Sequence, residues 1–181
     1  MNLDLSRIGR FRLVFGYLIG LLCLVFAGDE LLLPGIAVAL AGILLRMWAA
    51  GHIQKNSQLA TDGPYSLTRN PLYLGSFILG CGVTTAIKAW WLLAAWVIGF
   101  AVFYWPTIRR EEDGLLRRFG DEYRAYRERV PLFLPWRFGL RGGGFSLSNV
   151  VRNREHRYAI GAVAFLILLA AARELRAFLS L

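Results

Sequence analysis

The sequence predicts an all-α protein: a polytopic transmembrane helical bundle of four core spans, with a fifth, C-terminal apolar helix and a cytoplasmic helical segment. Hydrophobic residues make up 56% of the chain and charged residues only 18%, which is less charge than the surface of a soluble domain carries. The apolar runs are long enough to cross a bilayer, and basic residues flank them. These observations indicate an integral membrane protein.

The first two predicted spans are residues 13–27 and 36–50. The first resembles a signal peptide, but we expect it to be retained as a span. It contains Gly16 and Gly20 at GxxxG spacing, which predicts a close helix contact. Arg46 lies near the end of the second span. It either extends to the membrane interface or lines a polar cavity, and we favour the interface.

The third and fourth predicted spans are residues 71–87 and 89–105. The third contains Gly75, Gly80 and Gly82, which allow another backbone or a ligand to approach closely. Tryptophans near both ends of the fourth span are typical of residues at a membrane interface.

The last apolar run, residues 158–172, is interpreted as a fifth span or an interfacial helix, and we favour a span. Its end would then lie outside the cell, where Arg173 and Arg176 fit poorly. We expect two parts of the chain: a core over residues 1–136, and residues 137–181 as an extension with a linker and an apolar helix.

The charge distribution predicts the orientation in the membrane. The net charge is +9, but the basic residues flank apolar runs, so we expect contact with membrane lipids and no nucleic acid. The same bias places residues 51–70 and 109–157 in the cytoplasm. Asp29, Glu30 and Lys88 would lie on the opposite side. We therefore expect an inner-membrane protein with its site facing the cytoplasm.

The first polar segment, residues 62–75, separates two apolar runs. Gly63-Pro64 marks a turn, and Asn70-Pro71 is typical of a helix N-cap followed by the first helical residue. The free N–H groups of that helix would favour a carboxylate or phosphate. A well-capped loop without function is the alternative interpretation.

The second polar segment, residues 109–136, contains the adjacent pair Glu111 and Glu112. One of these two adjacent carboxylates must point toward protein or membrane, unless a cation neutralises it. Gly120 should end one helix and Asp121 can begin the next. Because both polar segments lie on one membrane face, their residues can form a single site.

The groups in the two polar segments complement S-adenosyl-L-methionine. A helix N-terminus and Arg69 suit its carboxylate, while acidic side chains can bind its ammonium group or ribose diol. Tyrosine rings can stack on adenine or attract the sulfonium. A metal site is not expected, since His52 has no partner at ligand spacing.

Over about residues 45–136 the chain resembles the isoprenylcysteine carboxyl methyltransferases and phospholipid methyltransferases. The order and spacing of their motifs are intact. The motifs stand here as Gly63-Pro64-Tyr65, Arg69-Asn70-Pro71-Leu72-Tyr73, Glu111-Glu112, Phe119-Gly120-Asp121-Glu122-Tyr123-Arg124-Ala125-Tyr126 and Val130-Pro131.

The resemblance implies a membrane methyltransferase that uses S-adenosyl-L-methionine. Its acceptor would be lipophilic or membrane-accessible, similar to an isoprenylcysteine carboxylate or a phospholipid. Arg69 and Glu112 are the catalytic candidates. Asn70 stands where many members have histidine, so this position cannot supply a base. The candidates for cofactor binding are Gln58, Leu59, Ala60, Tyr65, Asn70, Pro71, Leu72, Tyr73, Glu111, Tyr123 and Tyr126.

Two other functions stay open from the sequence. One is an NADPH-dependent membrane reductase of the sterol-reductase type, which resembles the C-terminal motif but usually has more spans and needs an arginine cluster for the 2′-phosphate. The other is a non-catalytic membrane scaffold whose polar segments only cap helices.

Overall fold

A computed structural model describes residues 5–28, 30–54, 58–135, 140 and 142–179, with side chains from residue 11 onward. Asp29 lies outside the described residues. The described part of the chain is helical and contains no strand. Its elements are α1 (Leu5–Phe26), α2 (Leu33–His52), a short 3₁₀ helix (Gly63–Ser66), α3 (Pro71–Ala86), α4 (Trp90–Arg129), α5 (Leu147–Arg152) and α6 (Glu155–Leu179).

The five predicted apolar helices are all present, which confirms the predicted bundle. By length and composition α2, α4 and α6 can each cross a membrane. The apolar part of α1, Phe11–Phe26, and α3 are shorter. The C-terminal run is therefore a helix of spanning length, as the sequence analysis favoured.

Small residues let α2 and α3 pack with their backbones in close contact. A Cβ atom on Gly42 would lie 2.5 Å from the backbone nitrogen of Leu79, and one on Gly75 would lie 2.7 Å from the carbonyl oxygen of Gly42. Gly82 faces Ala39 in the same way. The prediction that glycines of the third span allow close approach is confirmed.

Aromatic side chains join α4 to α1 and α3. The Trp96 ring stacks on Phe15 of α1, with centroids 5.6 Å apart, and its Nε1 donates to the Phe77 carbonyl oxygen at 3.0 Å. Phe77 of α3 contacts Phe100 edge-on, with ring centroids 5.0 Å apart. The absence of a side chain at Gly80 leaves room for the Trp96 ring. These contacts hold α4 in place along its apolar half.

Helix α4 continues well beyond the predicted fourth span. At about 1.5 Å per residue, the part of α4 before Gly120 is already longer than the roughly 30 Å hydrocarbon core, so α4 extends beyond one side of a membrane. The helix passes through Pro106 and breaks at Gly120, where φ is 51° and ψ is −121°. The prediction that Gly120 ends a helix is confirmed, because this backbone conformation favours glycine.

Arg46 lies inside the bundle, so the prediction that it extends to the interface is wrong. Its side chain is 14% exposed. Its guanidinium forms a bidentate pair with Glu155 of α6, at 2.6 and 3.0 Å, and donates to Ser76 Oγ at 2.5 Å and to the Leu72 carbonyl oxygen at 3.1 Å. Glu155, which lies more than 100 residues later in the sequence, is the buried counter-charge that allows the Arg46 guanidinium to be buried.

The arginines near the end of α6 have partners there. Arg176 donates to the carbonyl oxygens of Leu24 and Ala27, at the C-terminal end of α1. Arg173 forms an ion pair with Glu174 at 3.2 Å. A cation at the C-terminus of a helix satisfies carbonyl groups that lack partners within the helix. The positive charges of Arg173 and Arg176 are therefore balanced at this end of the bundle. Because the last turns of α6 lie beside the last turn of α1, the two helices run parallel.

The predicted contact through Gly16 and Gly20 does not occur among the described residues. A Cβ atom on Gly16 would meet only the Tyr104 hydroxyl, at 3.8 Å, and one on Gly20 only the Phe165 ring, at 3.7 Å. Within the described part of the chain, no neighbouring backbone comes that close to either glycine. The two glycines instead line a cavity between the helices.

Candidate functional site

The two polar segments meet where α3 begins. The backbone N–H of Arg69 donates to the Pro131 carbonyl oxygen at 2.9 Å. The Leu132 carbonyl oxygen accepts from Thr68 Oγ1 at 3.3 Å and from Asn70 Nδ2 at 3.1 Å. These bonds hold the residues that precede α3 against those that follow α4.

Asn70 occupies the N-cap position of α3, but its side chain does not cap the helix. The helix begins at Pro71, as predicted. The Asn70 side chain is directed toward Leu132, and its backbone N–H donates to Thr68 Oγ1 at 3.3 Å. The predicted side-chain cap is therefore wrong, because the amide donates to the Leu132 carbonyl oxygen instead. Asn70 joins the two polar segments instead.

The outer cluster comprises Arg12, Tyr73 and Glu111. The Tyr73 hydroxyl donates to Glu111 Oε1 at 2.5 Å, and Arg12 Nη1 donates to the Tyr73 hydroxyl oxygen at 2.6 Å. Tyr104 packs edge-on against the Tyr73 ring at 6.1 Å. Glu111 is exposed, so its carboxylate can still reach a ligand. Three different helices supply this cluster.

The inner cluster comprises Arg69, Glu112 and Tyr123. Arg69 Nη1 lies 3.2 Å from Glu112 Oε1, and the side chains are only 9% and 6% exposed. The Tyr123 hydroxyl donates to the same carboxylate oxygen at 2.7 Å. Arg109, at the rim, lies 4.0 Å from the other oxygen. The buried carboxylate is thus neutralised and hydrogen-bonded, as a buried charge requires.

Arg69 retains unused hydrogen-bonding capacity. Its Nε and Nη1 atoms are buried and have no hydrogen-bond acceptor among the described residues. The approach of Nη1 to Glu112 is an ion pair without hydrogen-bond geometry. Because an unpaired buried N–H costs free energy, Arg69 is suited to a ligand oxygen.

Three tyrosines of the predicted site are buried in the protein. The Tyr126 hydroxyl donates to the Tyr65 carbonyl oxygen at 2.7 Å, and the Tyr123 and Tyr126 rings lie 6.0 Å apart. Burial raises the pKa of all three phenols, and the hydrogen bond to Glu112 raises the pKa of Tyr123 further. They are therefore neutral donors near pH 7. Their rings support the site from within.

The remaining predicted residues lie at the edge of this arrangement. Gln58 is exposed, and Leu59 and Ala60 are half-buried. None of these three forms a hydrogen bond or ion pair with another described residue. Pro71 is buried at the helix start, and the Leu72 carbonyl oxygen accepts from Arg46. The structure thus joins the helix-start residues to the acidic pair, but not the 58–60 loop.

Sequence reasoning missed Arg12, Tyr104 and Glu155. Arg12 looked like one of several basic residues before a span, and no motif distinguished it. Tyr104 lies in an apolar run without polar neighbours in sequence. For Glu155 a signal was present, since a charge inside the second apolar run, at Arg46, requires a buried counter-charge.

An apolar cavity of about 660 Å³ lies between α1, α3, α4 and α6. Its wall includes Cys23, Trp96 and Phe165, and at one end Arg12 and Tyr104. Both of the latter contact Tyr73, so the cavity ends beside the outer cluster. This volume falls within the roughly 300–1,000 Å³ typical of small-molecule sites.

More than half of the chain matches a known family. Residues 17–122 match the family model described as "Phospholipid methyltransferase". This range contains the start of α3, the acidic pair Glu111 and Glu112 of α4, and the part of α1 from residue 17 onward.

Curated relatives carry several names. "Nickel-cobalt-cadmium resistance protein NccN" of Alcaligenes xylosoxydans xylosoxydans is 37% identical over 103 residues, which are 56% of this chain and 46% of that protein. "Methanethiol S-methyltransferase 1" of Bradyrhizobium diazoefficiens is 41% identical over 73 residues, 40% of this chain and 25% of that protein. "Protein-S-isoprenylcysteine O-methyltransferase" of Xenopus laevis is 31% identical over 119 residues, 59% of this chain and 41% of that protein. The chain spans less than half the length of each of these relatives.

Proposed function

Because the chain belongs to the phospholipid methyltransferase family, we propose that it is an integral membrane methyltransferase that uses S-adenosyl-L-methionine and acts on a lipophilic acceptor. One observation carries the proposal. The outer and inner clusters meet at the start of α3, directly beside an apolar cavity that a lipophilic molecule can enter.

The residues present fit the proposed cofactor. The buried, unpaired N–H groups of Arg69 suit a carboxylate such as that of the methionyl group. The exposed carboxylate of Glu111 suits an ammonium group or a ribose diol, and Tyr73 holds it in place. When bound, the cofactor supplies an electrophilic methyl group on a sulfonium.

The chain contributes orientation and charge rather than proton transfer to the leaving group. A bound cofactor would supply its methyl group by in-line displacement and would leave as a neutral thioether. That leaving group needs no proton. Glu112, fixed by Tyr123, holds Arg69 in place, so we assign Arg69 and Glu112 to positioning beside the reacting centre.

The residue at position 70, Asn70, bears on which methyl acceptors the protein can use, because some acceptors need a general base. Its amide is bound to the Leu132 carbonyl oxygen and cannot titrate, so it is not a general base. A carboxylate acceptor needs no base, whereas an amine or a thiol does. For such acceptors Glu111, Glu112 or a solvent path would have to supply the base.

We assign the core of this function to residues 1–136, and residues 137–181 to an extension. The protein would lie in the inner membrane with both clusters facing the cytoplasm. An ion pair between Glu30 and Lys88 at the opposite end of the bundle is consistent with this arrangement. Membrane lipids would surround the exposed apolar side chains of α1 and α6.

Thermal unfolding of the purified protein in detergent tests the cofactor class. We expect S-adenosylhomocysteine to raise the melting temperature in a saturable manner, because a ligand that binds only the folded state stabilises it. NADPH at the same concentrations should have no effect. A shift with NADPH alone would contradict the proposal and support a reductase, and no shift with either ligand would support a scaffold.

A further inference from the structure

The C-terminal extension is attached to the end of α2, although it lies beyond residues 17–122, which match the family. Asn149 Nδ2 donates to the Gly51 carbonyl oxygen at 3.0 Å, and Asn153 Nδ2 donates to the Ala50 carbonyl oxygen at 2.9 Å. These amides satisfy carbonyl groups that the end of a helix leaves without partners in the helix. The start of α6, which follows directly, is therefore held beside the last turns of α2.

Glu155, the first residue of α6, provides the buried counter-charge of Arg46. The carboxylate accepts from Nε and Nη2 of the guanidinium at 2.6 and 3.0 Å, and its side chain is only 8% exposed. The centre of the Tyr158 ring, also in α6, lies 3.7 Å from the guanidinium carbon. Because a buried guanidinium without a counter-charge is unfavourable, the orientation of the Arg46 side chain depends on α6.

Arg46 in turn binds the first turn of α3. Its Nη1 atom donates to the Leu72 carbonyl oxygen at 3.1 Å and to Ser76 Oγ at 2.5 Å. Gly75 leaves room for this contact, since a Cβ atom there would lie 2.5 Å from Cγ of Arg46. The Arg46 side chain therefore lies directly against the α3 backbone and reaches a carbonyl group two residues after the helix begins.

The bond to Leu72 bears on the outer cluster through the peptide unit that follows. The Leu72 carbonyl group and the Tyr73 N–H belong to one planar unit. A donor that fixes this carbonyl group also fixes the plane from which the Tyr73 side chain extends. The Tyr73 hydroxyl donates to Glu111 at 2.5 Å. A series of direct contacts thus leads from Glu155 in the extension to the outer cluster.

We propose that Glu155 and Arg46 are positioning residues, and that the C-terminal extension completes the cofactor site by fixing the start of α3. The inference rests on the proposed methyltransferase function, and it gives that site a component outside residues 17–122. Neither side chain needs to touch the cofactor. An ion pair that only stabilised the fold would raise the free energy of unfolding and leave the affinity of the folded protein for its ligand unchanged.

Calorimetric titration with S-adenosylhomocysteine, in detergent, tests this inference on a double variant that combines Arg46→Met and Glu155→Leu. Replacement of a buried ion pair by apolar side chains of similar volume often leaves stability unchanged or higher. The methionine, however, cannot donate to the Leu72 carbonyl oxygen. We therefore expect a melting temperature within about 5 °C of the wild type and binding about tenfold weaker, the factor that one charge-assisted hydrogen bond supplies.

Arg176→Gln is the matched control, because Arg176 binds the opposite end of α6 to the last carbonyl groups of α1. The control should lower the melting temperature and leave the affinity of the folded protein within about twofold of the wild type. Wild-type affinity in the double variant, or an equal loss of affinity in Arg176→Gln, would overturn the inference.

Amide hydrogen exchange without ligand separates this inference from the methyltransferase proposal. Residues 70–78 should exchange about tenfold faster in the double variant than in the wild type, and at the wild-type rate in Arg176→Gln. If the wild type binds no S-adenosylhomocysteine, the methyltransferase proposal fails, and the exchange rates alone decide whether the extension fixes the start of α3. An unchanged exchange rate over residues 70–78 in the double variant would overturn the inference.

Discussion

Two adjacent carboxylates on α4 have opposite surroundings because consecutive helical residues differ by about 100° around the helix axis. Glu112 points inward, where Arg69 and Tyr123 bind it, and Glu111 points outward to Tyr73. The sequence predicted that one of the pair would point toward protein or membrane. It could not predict Arg12 as the third member of the outer cluster, because that contact joins residues 61 positions apart.

The inner cluster predicts a large loss of stability for Glu112→Gln. The substitution leaves the Arg69 guanidinium buried without a counter-charge, which costs about 3 kcal/mol or more. Chemical unfolding in detergent measures the change. Glu122→Gln, an exposed matched control, should stay within about 0.5 kcal/mol of the wild type. Equal stability of Glu112→Gln and the control would contradict the buried ion pair.

The raised pKa values of Tyr65, Tyr123 and Tyr126 predict a pH dependence. Unfolded tyrosines ionise near pH 10, whereas these buried phenols remain protonated above that pH. Their contribution to the free energy of unfolding is therefore complete below about pH 10 and is lost as the pH rises further. In Tyr126→Phe the loss between about pH 9 and pH 11 should be shallower. A slope identical to that of the wild type would show that Tyr126 does not contribute.

At the scale of elements, helix bounds were predictable where the signals were local. Pro71 marked the start of α3, and Gly120 marked the break in α4. The length of α4 was not predictable, because a span and a charged helix join without interruption through Pro106. The prediction that the Asn70 side chain caps α3 was wrong for a similar reason. Its actual partner, the Leu132 carbonyl oxygen, lies 62 residues away in the sequence.

The close packing of α2 on α3 predicts a loss of stability for Gly42→Ala. The added methyl group would lie 2.5 Å from the Leu79 backbone nitrogen and 2.6 Å from the Gly75 carbonyl oxygen, so the helices must separate. We expect a cost of about 1–3 kcal/mol. Thermal unfolding checks it against Gly114→Ala, where the methyl group meets nothing within 4 Å and helix propensity favours alanine. If Gly42→Ala is as stable as this control, the backbones are not in contact.

At the scale of the whole molecule, the sequence predicted that both polar segments share one membrane face, and the structure joins them. That prediction depended only on apolar run length and the distribution of arginines. The cavity was not predictable, because its wall combines residues of four helices, from Arg12 of α1 to Phe165 of α6. The position of α6 in the bundle was not predictable either, because it depends on the ion pair between Arg46 and Glu155.

Labelling of single cysteines tests the topology. With Cys23 and Cys81 replaced by alanine, Lys88→Cys and Glu122→Cys each place one exposed thiol at opposite ends of the bundle. A membrane-impermeant maleimide added to intact cells should label Lys88→Cys, and Glu122→Cys should react only after the cells are opened. Labelling of both variants from outside would contradict the proposed orientation.

Calorimetric titration with S-adenosylhomocysteine, of the wild type and of Glu111→Gln, tests the central claim most directly. The exposed carboxylate of Glu111 is the proposed ligand for the ammonium group or the ribose diol, so Glu111→Gln should remain folded and bind at least about tenfold more weakly. Glu122→Gln should bind as the wild type does. Wild-type affinity in Glu111→Gln would contradict the assignment of the site, and no binding to the wild-type protein would contradict the methyltransferase itself.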